Sequence, residues 1–162
     1  MSDPIRRIKT PMRLEYTIAA GTDRSRFLRH VSEGRLMASR CPSCTKAYMP
    51  ARGTCPACGV RAGDEFETLQ TGTVSTFCVV NIPFEGQMLT PPYACAHILI
   101  DGTDTPLFHL VGGVEAKEVR MGMRVRAVWK DTSERAPTLE SIRYFEPTGE
   151  PDADFDSYKE HL

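Results

Sequence analysis

The chain has 162 residues, enough for one domain or two small ones, and 41% hydrophobic content with 12 Gly and 12 Pro suits a loop-rich, mainly β protein with small cores. No stretch approaches the ~20 apolar residues of a membrane span, and Met1 to Pro11 is polar and basic with no apolar run of signal length, so a cytoplasmic protein is expected. The net charge of −1 hides a division: residues 1–63 carry 12 Lys+Arg against 4 Asp+Glu (+8), and residues 64–162 carry 8 against 17 (−9), an imbalance that concerns partners rather than fold.

From Thr10 to Ala20, Met12, Leu14, Tyr16 and Ile18 alternate with Arg13, Glu15 and Thr17, a period of two that predicts a short strand or extended arm. Gly21 breaks it. Thr22 or Asp23 is expected to cap a helix through Ser25, Phe27, Leu28 and Val31 to about Leu36, with Gly34 near its end. The Phe27, Leu28 and Val31 stripe has two readings, a face packed on the chain's own core or a contact with a partner subunit. Residues 1–36 form the arm and helix.

Next come Cys41, Cys44, Cys55 and Cys58, two C-x2-C pairs separated by ten residues. Each pair puts two thiolates on one ion from the ends of a tight turn, and two pairs complete a tetrahedron. Pro42 and Pro56 suit the start of each turn, and Gly59 follows the second. Tyr48, Met49, Pro50, Arg52 and Gly53 lie between the pairs and read as the hairpin and loop of a zinc ribbon spanning residues 37–63. In a reducing cytosol the thiols stay available, so a metal is favoured over disulfides. Four sulfur ligands suit zinc or iron; zinc is favoured, because iron would imply an electron carrier and no redox-partner motif is present. With every position filled by protein, the metal is structural.

Five strands are predicted beyond the ribbon, at Val74–Ile82, Tyr93–Ile100, Pro106–Val111, Met123–Lys130 and Leu139–Phe145, separated by turn signals at 83–92, 101–102, 112–113 and 131–137. A short helix or turn at 114–119 precedes the fourth. That order is the order of an OB-fold barrel, over residues 64–146. Residues 147–162 form an acidic tail, for which disorder in isolation is the default, with Phe155 and Tyr158 as aromatic anchors for a partner.

Catalytic groups are few. Cys78 and Cys95 are flanked by apolar residues and read as buried packing cysteines, and His97 and His109 read as structural. Cys95 and His109 could form a dyad only if adjacent strands brought them together. No phosphate loop, nucleophile elbow or HExxH element is present.

The run of motifs resembles a known family, the zinc-ribbon plus OB-fold proteins catalogued as domain of unknown function 35. The residues that carry the likeness are Glu33-Gly34-Arg35-Leu36, Arg40-Cys41-Pro42-Ser43-Cys44, Pro50-Ala51-Arg52, Cys55-Pro56-Ala57-Cys58-Gly59, Thr71-Gly72-Thr73-Val74, Pro92-Tyr93 and Met121-Gly122-Met123-Arg124-Val125, across about residues 22–146. The resemblance implies a rubredoxin-like ribbon and a non-catalytic accessory subunit of an acyl-CoA enzyme, a thiolase-like or lipid-transfer-type partner that carries the catalytic residues. It also implies ribbon and helix at subunit contacts and a barrel that faces acyl-CoA. Residues 11–20 look similar to an extension in members that accompany lipid-transfer thiolases. Arg40 and Arg52, flanking the ribbon, are the candidates for CoA phosphates. The competing class is a single-stranded nucleic-acid-binding module with Phe77, Phe108 and Trp129 as stacking platforms, the alternative being barrel core; the −9 of the barrel half disfavours phosphate tracking.

Overall fold

The computed structural model describes residue 7 and residues 14–162. The strand expected over residues 10–20 falls partly outside these. Residues 14–20 form no strand, and Leu14, Tyr16 and Ile18 are 75%, 77% and 60% exposed. Alternation alone makes no strand where no neighbouring ladder receives its hydrogen bonds.

Helix α1 (Gly21–Ser32) begins at the glycine expected to precede it. Gly21 has φ +69, so the chain swings into the helix there, and the N-cap is Ala20 with no side-chain bond. Thr22 and Asp23 are therefore first-turn residues and not caps. Asp23 still suits that end electrostatically and accepts from Arg26 Nη2 at 3.0 Å. The helix stops at Glu33, earlier than Leu36, because Gly34 takes φ +80 and turns the chain away. Phe27 and Val31 are buried in the chain's own core, and half-buried Leu28 packs against it. This burial favours the core reading of the stripe.

Strands β1 (Met37–Arg40), β2 (Ala47–Tyr48) and β3 (Glu65–Glu67) make an antiparallel sheet in the order β2-β1-β3. Buried Ser39 pins the following loop: its Oγ accepts from Arg52 N at 2.8 Å and donates to Arg52 O at 3.0 Å. The third strand of this sheet lies just beyond residue 63.

Strands β4 (Thr71–Val80), β5 (Tyr93–Ile100), β6 (Leu107–Val111), β7 (Arg124–Trp129) and β8 (Ile142–Pro147) close a barrel in the order β4-β5-β6-β8-β7. All pairs are antiparallel except β6 with β8, and a single 3-10 turn at Ala116–Glu118 precedes β7. This is the OB-fold expected from the strand order. The start of the fifth predicted strand is instead a 3-10 turn, Leu139–Ser141, where Thr138 Oγ1 accepts from Glu140 N. Bulges at Val74/Thr76 and Val128/Trp129 bend the strands for closure.

Helix, sheet and barrel share one core, running from Phe27, Val31 and Leu36 through Met49 to Val74, Ile98, Val125 and Phe145. The β5–β6 turn also clasps β2. Asp104 Oδ2 accepts from Ala47 N at 2.7 Å, Asp104 N donates to Ala47 O at 2.7 Å, and Thr105 Oγ1 bonds both Met49 N and Met49 O at 3.0 Å.

The acidic tail, expected to be disordered in isolation, is ordered against the barrel. Arg120 grips Asp152 with two bonds of 2.6 and 2.8 Å, Ala153 N donates to Gly122 O, and Tyr158 is only 5% exposed. Asp152 and Glu150 find Arg120 and Arg124, and Tyr158 is buried, so low hydrophobicity did not decide the outcome.

Candidate metal centre

The two cysteine turns repeat one construction. Cys41 N donates to Lys46 O and Cys55 N to Val60 O, both at 2.9 Å; Thr45 N returns to Cys41 O at 3.0 Å and Gly59 N to Cys55 O at 2.9 Å. The residue after the second cysteine is left-handed in both, Thr45 at φ 63 and Gly59 at φ 69. Glycine takes that conformation freely; Thr45 takes it while its Oγ1 donates to Cys44 O at 2.7 Å.

These turns bring the sulfurs of Cys41, Cys44, Cys55 and Cys58 within 4.8 Å of one another. Cys44 and Cys55 Sγ are 3.8 Å apart, which matches the edge of a tetrahedron whose centre lies about 2.3 Å from each sulfur. Amide N–H groups point at the inner sulfurs: Ser43 N and Cys44 N at Cys41 Sγ, and Cys58 N at Cys55 Sγ, each at 3.4 Å. Such donors favour thiolate over thiol.

Tyr48 adds a donor that the spacing of the cysteines did not announce. Its Oη lies 3.5 Å from Cys55 Sγ, and both side chains are buried. The tyrosine hydroxyl, against the opposing effect of burial and with the Cys58 and Ala57 amides, pulls the Cys55 thiol down to about 6. Cys58, facing Cys44, is pushed up to about 11. Four thiols this close cannot all ionise without a cation among them, so donor type, spacing and charge all fit a structural metal. The small cluster of Cys41, Tyr48 and Cys55, with Cys44 against it, is the apolar packing available around the centre.

Arg40 is exposed, with Nη1 donating to Thr45 O at 2.7 Å and its guanidinium 5.3 Å from the Phe66 ring centroid. Arg52 is exposed over Tyr48, at 5.6 Å, and with Arg26 and Arg61 lines a groove of about 480 Å3 beside the start of α1 that Asp23 and Glu65 also border.

Cysteines 78 and 95 differ from expectation. Cys78 is exposed and Cys95 half-buried. Apolar neighbours on both sides suggested burial, but the period of two turns Ala94, Ala96 and Ile98 inward and Cys95 outward. His109 pairs with Ala96 and Cys95 with Leu110, a one-residue offset that puts the two side chains on opposite faces, so no dyad forms. His109 instead meets Phe145 edge-on at 5.6 Å, and His97 meets Phe108 at 5.4 Å. Phe77 and Phe108 are 39% and 57% exposed, not barrel core, whereas Trp129 is half-buried beneath Arg135.

The fold and site define a class: a thiolate-clustered ribbon joined to an OB barrel. Residues 30–63 match the family model for the ChsH2 rubredoxin-like zinc ribbon domain and residues 67–130 that for the ChsH2 C-terminal OB-fold domain. A DUF35 domain-containing scaffold protein of Pyrococcus furiosus is 32% identical over 111 residues, covering 68% of this chain and 80% of that protein. The chain belongs to the DUF35 family. Two solved structures share its fold: one described as an Ltp2-ChsH2(DUF35) aldolase (TM-score 0.62, 24% identity, 81% of this chain and 98% of that one), and a DUF35 protein of unknown function from Sulfolobus solfataricus (TM-score 0.59, 18% identity, 78% and 86%). Among the described residues no helix is long and apolar enough to cross a membrane.

Proposed function

We propose that this chain is a non-catalytic accessory subunit of a cytoplasmic acyl-CoA enzyme, a thiolase-superfamily or lipid-transfer-type aldolase or condensing partner, which it stabilises. The observation that carries the reading is the apolar exposure on the β4–β5 hairpin: Ile82, Phe84 and Met88 are 79%, 64% and 95% exposed, and Leu89 of the same loop and Phe77 of β4 are exposed as well. Apolar side chains exposed in this way suit a protein interface. The scaffold designation of the Pyrococcus relative and the aldolase described with a chain of this fold support the same reading.

In this proposal Cys41, Cys44, Cys55 and Cys58 hold Zn2+, which braces the ribbon and takes no part in chemistry. Arg40 and Arg52 contact CoA phosphates, Arg52 from the groove beside α1, and Leu28, half-buried against the core, is the residue of the stripe that keeps some surface for a partner contact. Exposure of Phe77 and Phe108 favours the competing nucleic-acid reading, which the −9 of residues 64–162 opposes. Co-expression with acyl-CoA enzymes of the thiolase superfamily tests the proposal. A stable heteromer whose enzymatic activity falls when this chain is withheld is expected; a partner equally active and stable alone would refute it. A salt-dependent gel shift with single-stranded oligonucleotide would favour the alternative.

A further inference from the structure

Cys78 and Cys95 are direct partners across the β4–β5 ladder, between the Phe77/Ala96 and Val79/Ala94 pairs. Both side chains lie on the outer face, since Ala94 and Ala96 on either side of Cys95 point into the core. Directly opposed residues in an antiparallel pair sit about 4.5 or 5.5 Å apart at Cα, and both spacings fall inside the roughly 4.4–6.8 Å that a disulfide bridges. β4 pairs with β7 only through Thr71 to Thr73, so among the described residues its ladder beyond the bulge at Val74/Thr76 is with β5.

We propose that Cys78 and Cys95 form an oxidisable dithiol, a second thiol site independent of the ribbon, that closes to an intramolecular disulfide in response to hydroperoxides. Exposed Cys78 meets the oxidant first. Its thiolate attacks the peroxide O–O bond, which breaks to release an alcohol (water, from hydrogen peroxide) and leaves a sulfenic acid on Cys78. The Cys95 sulfur then attacks Cys78 Sγ; the S–S bond forms, the S–O bond breaks, and water leaves with the Cys95 proton. Two thiols are oxidised and one peroxide is reduced. Burial and the neighbouring Cys78 thiol push the Cys95 thiol up, which suits the resolving partner better than the first target. The bond would clasp the base of the hairpin that carries Ile82, Phe84 and Met88, two pairs in from Val80/Tyr93.

The test is peptide mapping of the full chain with its metal bound. After brief hydrogen peroxide treatment and alkylation, a Cys78–Cys95 cross-linked peptide is expected, alkylation of Cys78 falling about tenfold and returning with dithiothreitol, while metal content stays constant. In Cys95→Ser, Cys78 should instead accumulate a dimedone-reactive sulfenic acid; Cys78→Ser should yield neither product. The proposal fails if both thiols of the wild-type chain still alkylate singly after peroxide, or if Cys78 is found bonded to a ribbon cysteine or to a second chain. The wild-type map needs no variant, so it decides the matter even if a substitution impairs folding.

Discussion

Tyr48 Oη and Cys55 Sγ are 3.5 Å apart within the small buried cluster around the cysteine turns, with Tyr48 supplied by β2 and Cys55 by the second cysteine turn. The contact ties the sheet to the thiolate centre, so each holds the other in position.

Removing the hydroxyl separates the two. In Tyr48→Phe the ring still fills its place while Cys55 loses its strongest neutral donor, and metal affinity should fall about 10–100-fold. Competition with a chromophoric chelator measures this. Unchanged affinity would mean that the hydroxyl contributes packing alone.

Cys44→Ser, or removal of the metal by a chelator, should unfold the ribbon, whose own apolar packing is slight. Circular dichroism and partner capture should both report the loss. A variant that stayed folded and bound its enzyme, with only a rate altered, would overturn the structural role of the centre.

Asp101 and Arg124 make a bidentate pair of 2.6 and 2.8 Å, and the same carboxylate accepts from Thr71 Oγ1 while Arg124 also reaches Thr73 Oγ1. The fork joins β4, the β5–β6 turn and β7. Asp101→Ala should cost about 1.5–3 kcal/mol in urea unfolding, typical of hydrogen bonds to charged groups. Arg124, outweighing burial, holds the Asp101 carboxyl below its usual 3.8. Its stabilisation is therefore complete above that value and disappears as pH falls through the lower folded value. The acid limb of the wild-type stability profile should flatten in the variant.

His109 works in a milder window. Burial, the dominant effect over the Leu139 and Leu110 carbonyls, lowers its pKa from the usual 6.5, and its buried Nδ1 has no hydrogen-bond partner among the described residues. The unfolded chain then binds the proton more tightly, so stability should decline as pH falls below about 6.5. His109→Leu should remove that decline, measured by thermal unfolding from pH 7.5 to 5; a wild-type profile already flat there would contradict it.

The metal centre was legible because four cysteines at that spacing have few other uses, and the barrel because turn residues punctuate its strands at regular intervals. What escaped was set by contacts distant in the chain. Nothing local marks Tyr48 as a thiolate donor, although a hydroxyl-bearing aromatic between two cysteine turns is a signal worth weighing. The tail's order depends on Arg120 meeting Asp152 and on the site that receives Tyr158. For Cys78 and Cys95, apolar flanks concealed an alternation that only strand pairing makes visible. The strand alternative for the arm failed for the converse reason: at residues 14–20 a good pattern found no ladder.

The clasp between the β5–β6 turn and β2 links two parts of the chain that answer to different conditions. The barrel lies in the apolar core it shares with the helix and sheet, while the cysteine turns, with only their own small cluster, answer to the supply of an ion. Because Asp104 and Thr105 hydrogen-bond to Ala47 and Met49, a chain that has failed to capture metal would leave that turn with its partners missing. Metal loading would then act as quality control on assembly, withholding from a partner any copy whose ribbon is incomplete even when its barrel has closed.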